Sequence, residues 1–119
     1  MLTERALVIK RDIAKMLTQI SDHFISAVPS ITISERRWLI GLGETAVIPC
    51  PAQGIPPPTI RWFKNAVDLS IMDFIEIKPN GDLHIMGVQD YDRGDYTCLA
   101  TNAAGEDSEV VVLEVGGKC

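Results

Sequence analysis

The side chains able to do chemistry in these 119 residues are few: two histidines, His23 and His84, and three cysteines, Cys50, Cys98 and Cys119. Catalysis needs a nucleophile, a base and an orienting group within reach of one another. No GxSxG, HExxH or P-loop spacing supplies them. His84 alternates outward between Leu83 and Ile85, and His23 lies in a separate segment, so with Cys119 they would make distant, unpatterned metal ligands. Asp90, Asp92, Asp95, Glu106 and Asp107 carry oxygens. A calcium loop, however, needs them at regular short spacing with a closing Glu, and that spacing is absent. The residues therefore predict no enzyme, no cofactor and no metal.

The chemistry left is that of a surface. A net charge of -5 argues against nucleic acid or a heparin-like polyanion as the main partner. No apolar run reaches the roughly 20 residues needed to span a bilayer, so no membrane insertion is expected. Glu4, Arg5, Lys10, Arg11 and Asp12 interrupt any apolar core of a leader peptide. The length suits one domain with an extension, and the chain reads as an excerpt of something longer.

Two regimes of patterning divide it. In residues 1–27, Leu2, Ala6, Ile9, Ile13, Met16, Leu17, Ile20 and Phe24 recur at steps of three and four, which places them on one helix face. Thr3 can cap its start, and Pro29 ends it. This amphipathic extension is read as a linker or the tail of an upstream domain. The alternatives are self-association through the heptads 2, 9, 16 and 6, 13, 20, or disorder in isolation.

Residues 28–116 switch to period-two alternation. Strands are expected at 31–33 and 37–40, at 46–50 with Ala46, Ile48 and Cys50 inward, and at 60–63 with Ile60 and Trp62 inward. Gly54-Ile55-Pro56-Pro57-Pro58 reads as a stiff connection between the last two of these. Further strands are expected at 74–78 and 83–85, around a tight Asn80-Gly81 hairpin. The last pair is expected around Tyr96, Cys98 and Ala100, and around Val111, Leu113 and Val115. Residues 117–119 read as a C-terminal linker.

Cys50, Trp62 twelve positions on, and Asp92-Arg93-Gly94-Asp95-Tyr96-Thr97-Cys98 together resemble the immunoglobulin superfamily. Gly54, Pro56, Pro58, Lys64, Ala100, Asn102 and Gly105 narrow the resemblance to its I-set class. The 47 residues between the cysteines are too few for the extra strand pair of variable-type domains. The resemblance implies an all-β, Greek-key immunoglobulin-like sandwich. In it a Cys50–Cys98 disulfide crosses between sheets, Trp62 packs on that bond, Leu83 fills the core, and Asp92, Gly94 and Tyr96 form the corner. It is similar to the modules of hemicentin- and peroxidasin-like matrix and adhesion proteins.

The function implied is a non-catalytic protein–protein interaction module of a multidomain, secreted or cell-surface protein, binding neighbouring immunoglobulin modules, matrix proteins or cell-surface proteins through its sandwich faces. The alternatives are a titin-like module of the cytoplasmic sarcomere, whose cysteines stay reduced, and a targeting module appended to an enzyme. Phe63 and Leu99, outward on two adjacent strands, are one expected interface, and the edge of the last strand, with Val110 and Val112 outward, is a second. Arg93-Gly94-Asp95 spells an integrin-type tripeptide, but the family corner already demands its glycine and fixes its backbone. Asn65, Asn80 and Asn102 all fail the N-glycosylation pattern. In an oxidising setting, Cys119 would be an unpaired third thiol suited to an intermolecular bond, to a following module or to conjugation.

Overall fold

A computed structural model describes residues 25–117. The helix expected in residues 1–27 lies almost wholly outside the described residues, as does Cys119. Ten strands make up the described part: β1 (Ala27–Ile31), β2 (Arg37–Gly41), β3 (Ala46–Ile48), β4 (Ala52–Ile55), β5 (Thr59–Lys64), β6 (Val67–Asp68), β7 (Ile75–Ile77), β8 (Leu83–Ile85), β9 (Gly94–Asn102) and β10 (Gly105–Gly116). Two single 3-10 turns, Leu69–Ile71 and Asp90–Asp92, join them. No helix among the described residues is long and apolar enough to cross a membrane.

One layer is the sheet β2-β10-β9-β5-β6, antiparallel except where β2 runs parallel to β10. The other contains β3-β8-β7 and β1-β4. The chain passes from β3 to β4 through Pro49-Cys50-Pro51, whose prolines have no N–H to give a ladder, and there the second layer breaks in two. Between the layers lie Ala46, Ile48, Trp62, Leu83, Ile85, Val88, Tyr96, Val111 and Leu113, each at most 1% exposed. The Cys50–Cys98 disulfide joins the layers with Cα atoms 6.6 Å apart.

Four expectations are corrected. The first strand begins at Ala27, not Ile31, and Pro29 sits inside it facing the core. The ladder to β4 shifts register between Ala27 and Ser30, which is how a residue without a donor is accommodated. Gly54 and Ile55 belong to strand β4 and not to a connection, and the stiff segment starts at the cis Ile55–Pro56 bond. Phe74 lies outside β7, because its φ of 63° is left-handed.

The Asn80-Gly81 pair is not the centre of a two-residue hairpin. Pro79 and Asn80 occupy the turn, closed by Gly81 N–H to Lys78 O at 2.8 Å, and Gly81 follows at a φ of 94°. A proline's fixed φ suits the first central position of such a turn, and only glycine takes the next conformation freely.

Candidate functional site

In the five-stranded sheet, Trp62, Tyr96, Cys98, Ala100, Val111 and Leu113 point inward. Strict alternation then sends Arg61, Phe63, Thr97, Leu99, Val110 and Val112 to the outer face. The ladders align these residues in rows. Phe63 and Val110 both pair with Thr97, Arg61 and Ser108 both pair with Leu99, and Asp95 and Arg37 both pair with Val112. Direct cross-strand neighbours lie about 5 Å apart and diagonal ones about 7–8 Å. Phe63, Leu99, Val110 and Val112 therefore lie on one outer face, and not on the two separate surfaces expected from the sequence.

The expectation of a free edge at β10 is corrected, since β2 pairs in parallel with Val112–Gly116. The sheet ends instead at β2 and β6. Leu39 on β2, which sequence reasoning missed, is 70% exposed on the same outer face beside Glu114. Its signal was the alternation Arg37, Leu39, Gly41 read against inward Trp38 and Ile40.

Ion pairs line the β2–β10 seam. Arg37 pairs with Glu114 at 2.5 Å on this outer face, and Arg36 pairs with Glu109 at 2.8 Å on the opposite side, where Glu109 shares the parity of Val111 and Leu113. Both pairs are largely exposed, so they fix side-chain positions more than they stabilise the fold. Arg61 stands exposed beside Leu99; the Ser70 hydrogen bonds, and after them the Arg61 charge, hold the Asp68 carboxyl below the usual carboxylate range.

The corner is rigid. Tyr96 donates its hydroxyl to Asp92 O at 2.5 Å, and Asp92 Oδ2 accepts from Gln89 N at 2.8 Å. Lys64 Nζ lies 5.1 Å from the Tyr96 ring centre and donates to Tyr91 O at 2.9 Å. Burial pushes the Tyr96 hydroxyl well above the ordinary tyrosine range, helped by the Asp92 charge. Burial pulls the Lys64 amine down, and Asp92 partly offsets this. Arg93 of the Arg93-Gly94-Asp95 tripeptide is tied to Asp90 at 3.2 Å, and Asp95 is already within β9. Gly94 has a φ of 137°, and a Cβ there would lie 3.3 Å from Lys64 Cε.

At the other end of the sandwich, Asn102 ties three segments together. Its Nδ2 donates to Ala27 O at 2.8 Å and Pro56 O at 2.9 Å, and its Oδ1 accepts from Ala104 N at 2.8 Å and Gly105 N at 3.1 Å. His84 occupies the outer face of the second layer, in a row with Val47 and Glu76. Among the described residues, no three His, Cys, Asp or Glu side chains converge as a metal site.

A further surface was not visible in the sequence. Ile71, Met72, Phe74, Met86 and Tyr91 are 43–80% exposed around a cleft of about 770 Å³, whose lining includes the buried Leu69, Ile85 and Tyr96. They come from two segments, Leu69–Phe74 and Met86–Tyr91, that share no period.

The two layers, the inter-sheet disulfide and the hydroxyl-closed corner define an immunoglobulin-like domain. Residues 29–115 match the Immunoglobulin I-set domain family, and the chain belongs to that family. It is similar to hemicentin-1 of Mus musculus, at 42% identity over 89 residues, which is 74% of this chain and 2% of that protein. Among solved structures it is similar to sidekick-1 immunoglobulin domains 1–4, at a TM-score of 0.69 and 37% identity, covering 75% of this chain and 24% of that one. It is also similar to a chain of the titin M10–obscurin-like 1 immunoglobulin complex, at a TM-score of 0.70 and 27% identity, covering 79% and 98%.

Proposed function

We propose that this domain is a non-catalytic protein-binding module of a multidomain matrix or cell-adhesion protein, and that it engages its partner through the outer face of the five-stranded sheet. One observation carries the reading: β5, β9 and β10 bring Phe63, Leu99, Val110 and Val112 into adjacent rows beside Arg61. An aromatic ring and an arginine, here Phe63 and Arg61, are residue types enriched at interfaces relative to ordinary surface. The similarity to hemicentin-1 and sidekick-1 supports an adhesion or matrix setting, and so does a disulfide that persists where oxidation is permitted. The titin-like neighbour supports a second reading, an intracellular structural module with both thiols free.

Site-specific photo-crosslinking tests the face. A photoreactive residue at Leu99 should give a saturable protein crosslink on matrix-producing cells, competed by unlabelled chain and lost in Phe63→Asp/Val110→Asp. The same probe at Val47, on the opposite layer, should not. Equal crosslinking from both positions would remove the assignment. Alkylation before lysis of the native source separates the two settings: linked Cys50 and Cys98 peptides keep the extracellular one, and free alkylated peptides leave the intracellular one.

A further inference from the structure

Asn80 is the only asparagine of this chain followed by glycine, since Asn65 and Asn102 each precede alanine. With no side chain in the way, the backbone nitrogen of a following glycine is free to approach the asparagine carboxamide. The covalent change that this permits needs only water. The Gly81 nitrogen bonds to Asn80 Cγ, the Cγ–Nδ2 bond breaks, and ammonia leaves with the proton of the Gly81 N–H. Water then opens the cyclic imide at either carbonyl. The product is aspartate or, with an added methylene in the main chain, isoaspartate.

The folded turn blocks this at the nucleophile. Gly81 N–H is donated to Lys78 O at 2.8 Å, and Gly81 O accepts from the buried Trp62 Nε1 at 2.8 Å. Gly81 is itself buried and packs so closely on Ile60 that an added Cβ would lie 2.9 Å from Cγ1. The nitrogen can neither give up its proton nor swing toward Asn80 Cγ while those contacts hold. The carboxamide has no such protection. Asn80 is exposed, its Oδ1 accepts from Asp82 N at 3.0 Å, and its Nδ2 donates to Asp82 Oδ2 at 3.2 Å. A donor on that oxygen stabilises the charge it takes on under attack, so the electrophile is ready and the nucleophile is locked.

We propose that Asn80 is a gated site of deamidation, opened by local release of the β7–β8 turn from Trp62, and that isoaspartate formation then keeps the turn from reclosing. The added methylene shifts Gly81 relative to Lys78, so its N–H and carbonyl cannot both recover their partners. Trp62 Nε1, in a side chain with 0% exposure, is then left without its acceptor.

The full chain, incubated at mildly alkaline pH, tests this by peptide mapping that separates the amide, aspartyl and isoaspartyl forms. Hydrogen exchange of the Gly81 N–H, followed in parallel, reads the opening of the turn itself. Wild type should deamidate at least about tenfold more slowly than the same chain unfolded in urea. Trp62→Phe should speed deamidation and Gly81 exchange together, by about tenfold, since one buried bond is removed from the latch. Tyr96→Phe, which weakens the corner at the opposite end of the sandwich, should leave both rates unchanged. The purified isoaspartyl form should unfold at a lower denaturant midpoint than wild type.

Four results would overturn the proposal. A native rate equal to that of the unfolded chain removes the gate. A Trp62→Phe chain that deamidates at the wild-type rate removes Trp62 as its latch. Equal acceleration by Tyr96→Phe assigns the reaction to global unfolding rather than to the turn. An isoaspartyl form with the wild-type midpoint shows that the turn recloses around the added methylene.

Discussion

Trp62 Nε1 donates to the carbonyl of Gly81 at 2.8 Å, a buried bond that ties β5 of one layer to the β7–β8 turn of the other. The indole thus has two roles. Its ring fills the centre of the core at 0% exposure, and its single donor satisfies a carbonyl that water cannot reach. Gly81 is held in return by its φ of 94° and by Ile60, whose Cγ1 would lie 2.9 Å from an added Cβ.

Trp62→Ala should cost about 3–5 kcal/mol, from lost burial and a residual cavity. Trp62→Phe retains most of the ring but leaves the Gly81 carbonyl without a donor, so it should cost about 1–3 kcal/mol. Urea unfolding measures both. If the two variants fall equally, the hydrogen bond rather than the ring's volume fixes the turn, and if Trp62→Phe is nearly neutral the volume does.

The β5–β6 hairpin turns on Asn65 and Ala66, with φ of 53° and 64°. Both central positions are left-handed, which suits Asn and penalises Ala. Ala66→Gly should therefore stabilise the domain by about 0.5–1 kcal/mol, read as a higher denaturation midpoint at constant slope. A lower midpoint would mean that the entropy glycine adds to the unfolded chain exceeds the relieved strain.

Asn102 is a structural hub on its hydrogen bonding, since one amide serves β1, the cis-proline loop and the β9–β10 turn. Asn102→Ala should cost about 1–2 kcal/mol. Asn102→Asp should cost more at neutral pH, because it turns a carboxylate toward the Ala27 and Pro56 carbonyls that the amide had served as donor. Thermal melts of the two variants give the order, and the reverse order would refute the donor role.

Tyr96 makes the domain sensitive to alkali. Its hydroxyl is raised by burial, so below the ordinary tyrosine range both folded and unfolded states keep the proton and nothing is lost. As pH rises past about 10, the unfolded chain ionises first and stability falls. The Lys64 shift is in the opposite sense, since a lowered amine favours the folded state as pH rises toward the lysine range. Tyr96→Phe should be less stable than wild type at pH 7 through loss of the Asp92 bond, yet lose less stability between about pH 9 and 11. Parallel stability–pH curves for the two proteins would show that another group governs the alkaline limb.

What the sequence revealed, and what it concealed, follows from how local each signal is. Tyr96, Cys98, Ala100, Val111 and Leu113 were legible because the strands are long and one face is fully buried, so alternation repeats several times. Strand β1 was misplaced because Pro29 reads as a helix stop, whereas a register shift admits it to a strand. Strand β4 was missed because Gly54 precedes three prolines, and only its pairing with β1 makes it a strand. The residues of the outer face were read individually, but their union was not, since placing Phe63 beside Val110 requires the register of three strands at once. The cluster around Phe74 left no trace, because its members lie on irregular backbone in two separate segments.

Phe74 sets backbone strain against side-chain contact. Its ring is 74% exposed, so removing it forfeits little buried area, while its left-handed backbone costs about 1–2 kcal/mol relative to a permissive residue. Asparagine tolerates that conformation better than any aromatic. Phe74→Asn should gain about 1 kcal/mol, a rise in Tm of about 4–8 °C for a domain of this size. A variant that becomes more stable would show that packing within the chain does not repay the strain at Phe74. If the variant melts lower instead, the ring's remaining contacts along the cleft outweigh its backbone penalty, and Phe74 is part of the fold.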